Sequence, residues 1–151
     1  MFDFFKKEQD PIRGHLGDFQ DIFTKEQKAA IVSSLVIVAK SDGNIHPKEW
    51  QYIEQAGKIL GIKMEDPIFP KIASSGRNEI IKILDKLAKS QKDGFKEWFI
   101  VSLHSMTLAD GRPNATEVNC ALMFAEGIGV SEDEYVQIID KAELLMKSFM
   151  G

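Results

Sequence analysis

Apolar residues recur along this chain at helical spacing, never in the alternation of a strand. The clearest run carries Ile31, Leu35, Val38 and Ala39, with Val32 and Val36 beside them. So wide an apolar stripe predicts a central helix. Thr24-Lys25-Glu26-Gln27 ahead of it has capping-box spacing, and Asp42-Gly43 behind it is a stop signal. Pro47 suits the first position of a second helix, whose buried side is read as Trp50, Ile53, Ala56, Gly57 and Leu60, ending at Gly61. Pro67 and Pro70 then read as a broken connection, and Ser74-Ser75-Gly76 as a loop. Ile80, Ile81, Leu84, Leu87 and Ala88 give a further amphipathic helix ahead of a break at Lys92-Asp93-Gly94. Trp98, Phe99, Val101, Leu103 and Met106 line the next, which stops at Asp110-Gly111. A helix from about Ala115 to Ile128 follows. Ser131-Glu132-Asp133-Glu134 opens the last helix, through Val136, Ile139, Ala142, Leu145 and Met146. The fold class is all-α, with about six to seven helices.

The same pattern is written twice, at an offset of 68 residues. Sliding the chain on itself sets Ser34-Leu35 over Ser102-Leu103, Asp42-Gly43 over Asp110-Gly111, and Glu49 over Glu117. Gly61-Ile62 falls over Gly129-Val130, and the apolar positions between these anchors also correspond. A helical hairpin made twice is expected to pack on itself about a pseudo-twofold axis, burying faces that neither copy buries alone. The domain layout read from this is an N-terminal arm over 1–22 and one helical domain over 23–151, with repeats at about 24–62 and 92–130.

Composition narrows the function classes. A length of 151 residues, 44% apolar, suits one domain with an ordinary core. A net charge of −4 argues against a nucleic-acid binder, which needs a basic face. Cys120 stands alone, so no intramolecular disulfide forms, and a cytoplasmic location is expected. No stretch is long enough to span a bilayer. Met1-Phe2-Asp3-Phe4-Phe5-Lys6-Lys7 reads as a tail that covers an apolar patch or as an interfacial anchor.

The only constellation with chemical content is the pair of Asp-Gly turns. Asp42-Gly43-Asn44-Ile45-His46-Pro47-Lys48-Glu49 spells the second half of an EF-hand loop. Val38 and Lys40, and in the second copy Met106 and Leu108, stand where the first carboxylates belong, so an EF-hand is rejected. The simplest role of each turn is to end one helix and cap the next, with His46 and Asn114 as caps. The functional role is a divalent-cation site: if the turns meet, Asp42, Glu49, Asp110 and Glu117 converge, and calcium or magnesium would relieve their repulsion. His15, His46 and His104 are too scattered for a metal triad, and His104 reads as a core histidine. Ser33-Ser34 and Ser102 lack the histidine-and-acid pattern of a nucleophile with its base, and no glycine-rich phosphate loop is present, so no enzyme is expected.

At Ala39-Lys40-Ser41-Asp42-Gly43 through Glu49, and again at Leu108-Ala109-Asp110-Gly111 through Glu117, the chain resembles the TerB-like tellurite-resistance family. Leu60-Gly61-Ile62 and Ile128-Gly129-Val130 match the helix ending common in that family, which includes the N-terminal region of a membrane-anchored DnaJ-type co-chaperone. The resemblance covers roughly residues 24 to 146. It implies a bacterial cytoplasmic module of duplicated helical hairpins, associated with stress and metal-oxyanion resistance and with protein complexes at the inner face of the membrane. It also implies acidic positions for a divalent cation, which fall on Asp42, Glu49, Asp110 and Glu117. The chain departs from the pattern at Ile45 and Pro113, and at Lys48 and Thr116, where a second acidic residue is common. No His-Pro-Asp signature accompanies it. The alternative is a pure protein-interaction scaffold without a metal site.

Overall fold

The computed structural model describes residues 23–90, 93–109, 111 and 114–150. Among them the chain forms seven helices and no strand: α1 (Lys25–Lys40), α2 (Pro47–Leu60), α3 (Ile68–Ser75), α4 (Arg77–Ser90), α5 (Asp93–Thr107), α6 (Ala115–Gly127) and α7 (Glu132–Met150). The expected N-terminal arm, together with Lys92, Asp110 and Pro113, lies outside the described residues.

Two helices carry the core because they are apolar nearly all round. In α1, Ala29 through Leu35 are buried without interruption, as are Val38 and Ala39. That helix packs against α2, α3, α4, α5 and α6. In α5, Phe95, Phe99 through Leu103, and Ser105 through Thr107 are buried, and the helix touches α1, α2, α4, α6 and α7. Hydroxyls buried in this setting need acceptors. Ser34 donates to the Ile31 carbonyl at 2.6 Å, Ser102 to Trp98 at 2.8 Å and Thr107 to His104 at 2.6 Å. Phe95 stacks on Phe99 one turn away at 5.7 Å and meets Phe23 edge-on at 5.8 Å, which ties the chain entering α1 to the start of α5.

Capping fixes where these helices begin. Thr24 Oγ1 accepts the Gln27 N–H at 3.1 Å, and Gln27 Oε1 accepts the Thr24 N–H at 2.9 Å, closing the expected box. Ser131 Oγ accepts the Glu134 N–H at 3.2 Å, as the second box requires.

Several expectations fail, each for a local reason. Pro67 and Pro70 do not leave an irregular connection: α3 forms there and runs through Ser75. Pro70 falls in its first turn, where an amide would have no helical partner, so the ring costs nothing. Asp66 Oδ1 accepts the Ile68 N–H at 2.9 Å, while Oδ2 pairs with Lys25 at 2.6 Å. The Lys25 ammonium, with that amide, holds the Asp66 carboxyl below its usual range. Trp50 is 39% exposed, because the stripe of α2 is centred on Tyr52, Ile53, Ala56 and Leu60 and leaves Trp50 at its margin. Asp93 and Gly94 belong to α5 rather than to a break. Among the described side chains of α7, Tyr135, Ile139 and Ala142 are buried, whereas Val136 and Leu145 face out; the Met146 side chain lies outside that description.

Candidate functional site

At their described residues both turns carry the same backbone bonds, 68 residues apart. Gly43 N–H donates to Lys40 at 2.8 Å, and Gly111 N–H to Leu108 at 2.9 Å. Both glycines take positive φ, 102° and 88°, as a sharp helix exit demands. At the far end of each hairpin, Ile62 N–H reaches Gly57 at 2.9 Å, and Val130 N–H reaches Ala125 at 2.8 Å.

The side chains differ. In the first turn Asp42 Oδ1 accepts the Asn44 N–H at 3.1 Å, bracing the loop. His46 caps α2, its Nδ1 accepting the Lys48 N–H at 3.1 Å. Glu49 reaches back, and its Oε1 accepts the His46 N–H at 2.9 Å. In the second turn Asn114 caps α6, Oδ1 accepting from Thr116 at 2.9 Å and from Glu117 at 3.2 Å. Glu49 and Glu117 are both buried, at 1% and 2% exposure. Each sits in the first turn of its helix, where exposed amides favour an anion. The Glu49 Oε2 atom is buried without a hydrogen-bond partner, a costly arrangement for a carboxylate.

The two turns meet. Asn114 Nδ2 donates to Asp42 Oδ2 at 3.2 Å, joining residues 72 apart in the chain. Sequence reasoning gave Asn114 only its capping role. The missed signal was stoichiometric, since an amide that caps through its oxygen still has two N–H bonds to give. Asp110, the remaining expected ligand, lies outside the described residues. Among those described, no three His, Cys, Asp or Glu side chains converge as a metal-ligand group.

Other candidate chemistry is accounted for by packing. His104 Nδ1 and the Tyr135 hydroxyl are hydrogen-bonded at 2.9 Å, with the rings edge to face at 5.6 Å. Burial pushes His104 below its usual range, partly offset by the charge of Glu143. Burial pushes the half-buried Cys120 thiol up, away from the reactive thiolate. The Tyr52 phenol, fully buried beside the hydroxyls of Ser102 and Ser105, is raised well above its usual value by desolvation.

Residues 3–71 match the family model described as "Tellurite resistance protein TerB". No curated protein and no solved structure matched the chain. The match supports a TerB-like tellurite-resistance family, and its span takes in α1, α2, Asp42 and Glu49. Glu117 and Asp110 lie beyond it.

Proposed function

We propose that the chain is a non-catalytic TerB-like module of bacterial stress and tellurite resistance, holding a divalent cation through its paired Asp-Gly/Glu turns. The observation that carries this reading is the 3.2 Å bond from Asn114 to Asp42, which draws one acidic turn onto the cap of the other repeat. The orphaned, buried Oε2 of Glu49 adds to it, because a bare carboxylate oxygen is what a cation would satisfy. Calcium takes roughly six to eight oxygens and magnesium about six, with water filling what the protein leaves open. Asp42, Glu49, Asp110 and Glu117 would supply carboxylates. The two Asp42 oxygens each accept one hydrogen bond and so each keep a lone pair. In this reading the module works in the cytoplasm, on a protein partner at the inner face of the membrane.

A second reading has its own support. Asp42 braces a loop and Glu49 completes a cap, so both acids already have structural work, as a pure interaction scaffold would need. Thermal melts separate the two. Calcium or magnesium should raise the melting temperature of the wild type by mass action. The double variant Asp42→Asn with Asp110→Asn should keep the fold and lose that rise. A flat wild-type response rejects the cation and leaves the scaffold.

A further inference from the structure

Three of the four large apolar side chains exposed among the described residues, Val136, Leu144 and Leu145, lie on α7. Val136 is 49% exposed and Leu144 68%. Val136 and Leu144 belong to one ridge, because Glu132, Val136, Asp140 and Leu144 follow one another at intervals of four along the helix. That ridge alternates acid, apolar, acid, apolar. Beside it runs a groove of about 200 Å³ whose floor is Tyr135, Ile139 and His104 and whose far wall is Val118 and Leu122 of α6. Glu132 and Asp140, on the near wall, are exposed, and the ion pairs among the described residues all lie elsewhere.

We infer that this groove between α6 and α7 receives a basic amphipathic helix of a partner protein. The volume is too small for a cofactor and suits one bulky apolar side chain. Parallel rows at i, i+4 on both walls are the complement of a helix laid lengthwise. Glu132 and Asp140 are about 12 Å apart along the α7 axis, from the rise per residue. The occupant therefore carries a Leu or Phe with a Lys or Arg about four residues to each side. A second copy, an anionic lipid surface and a nucleic acid fit worse. An isologous contact with a second copy would set this acidic ridge against itself, and anionic lipid or nucleic acid would be repelled by it. The groove shares no residue with the Asp-Gly turns, so this inference and the cation reading stand or fall separately.

The test uses the full chain and a labelled synthetic helical peptide with a central Leu flanked by Lys four residues before and after. Fluorescence anisotropy should show saturable binding that weakens with salt. Val136→Glu and Asp140→Lys, both at exposed positions, should each weaken it about tenfold or more while leaving the thermal melt unchanged. The variant Glu132→Lys with Asp140→Lys should in turn bind the peptide whose two Lys are replaced by Glu. Absence of saturation, or equal binding of the Lys and Glu peptides to wild type, would overturn the inference. So would a dimer in sedimentation equilibrium that Val136→Glu dissolves, which gives the groove to a second copy. Binding to phosphatidylglycerol vesicles in preference to the peptide would overturn it as well.

Discussion

At their described residues the first and second turns share a positive-φ glycine and its backbone bond but differ in the chemistry of their caps. In the first, the cap is reciprocal: the His46 ring accepts amides of the first helical turn, the Lys48 N–H at 3.1 Å among them, and Glu49 turns back to satisfy the His46 N–H. In the second, Asn114 accepts two amides through one oxygen and has its NH₂ left to reach Asp42. The second turn therefore gives the contact and the first receives it. At an offset of 68 residues the two turns share what the chain path needs, namely a positive-φ glycine and a cap, while the capping side chains differ.

The largest test of that equivalence is in the core rather than in the turns. Leu35 and Leu103 occupy the same position in the two copies and are both fully buried. Leu35→Ala and Leu103→Ala should each cost about 2–5 kcal/mol, from lost transfer energy and the cavity left behind. Urea denaturation would show this, and a cost well below that range at one site alone would break the parallel between α1 and α5. The caps should come next and should differ. Asn114→Ala strips two amides of their acceptor and removes the bridge to Asp42, and should cost about 1–2 kcal/mol. His46→Ala removes one acceptor in a turn that Glu49 and Pro47 still hold, and should cost about 0.5 kcal/mol. Equal losses in the same melts would mean that the bridge contributes nothing.

Much of this was legible in the residues. Thr24 with Gln27, and Ser131 with Glu134, announce their caps because both partners are local. Gly43 and Gly111 announce positive φ for the same reason. The illegible parts depend on tertiary choices. Periodicity shows that α7 has an apolar stripe, but Val136 faces out because α5 takes the face led by Tyr135 and Ile139. Pro70 looked like a breaker because a helix start is invisible until Asp66 is seen accepting the Ile68 amide. The bond from Asn114 to Asp42 spans 72 residues, and local spacing does not encode it.

The smallest effect concerns a position where the copies part completely. His104 stands where the first repeat has Val36, so one hairpin carries a partly buried hydrocarbon and the other an imidazole bonded to Tyr135. Desolvation lowers the His104 pKa in the folded protein, so the fold prefers the neutral ring, while the unfolded chain keeps a value near the usual 6.5. Between the two values the unfolded chain binds more protons than the native one, and stability therefore rises with pH there. The contribution is fully present above about pH 6.5 and is lost as pH falls through the lower, folded value. Glu143 opposes the trend by favouring the charged ring, which keeps the loss modest. His104→Val makes the second copy like the first. It should lower stability at neutral pH, since the buried Tyr135 hydroxyl loses its partner. It should also flatten the part of the stability curve just below pH 6.5. Urea melts of both proteins at half-unit steps between pH 5 and 8 would decide it. An unchanged slope in the variant would mean that the acid sensitivity arises from other groups.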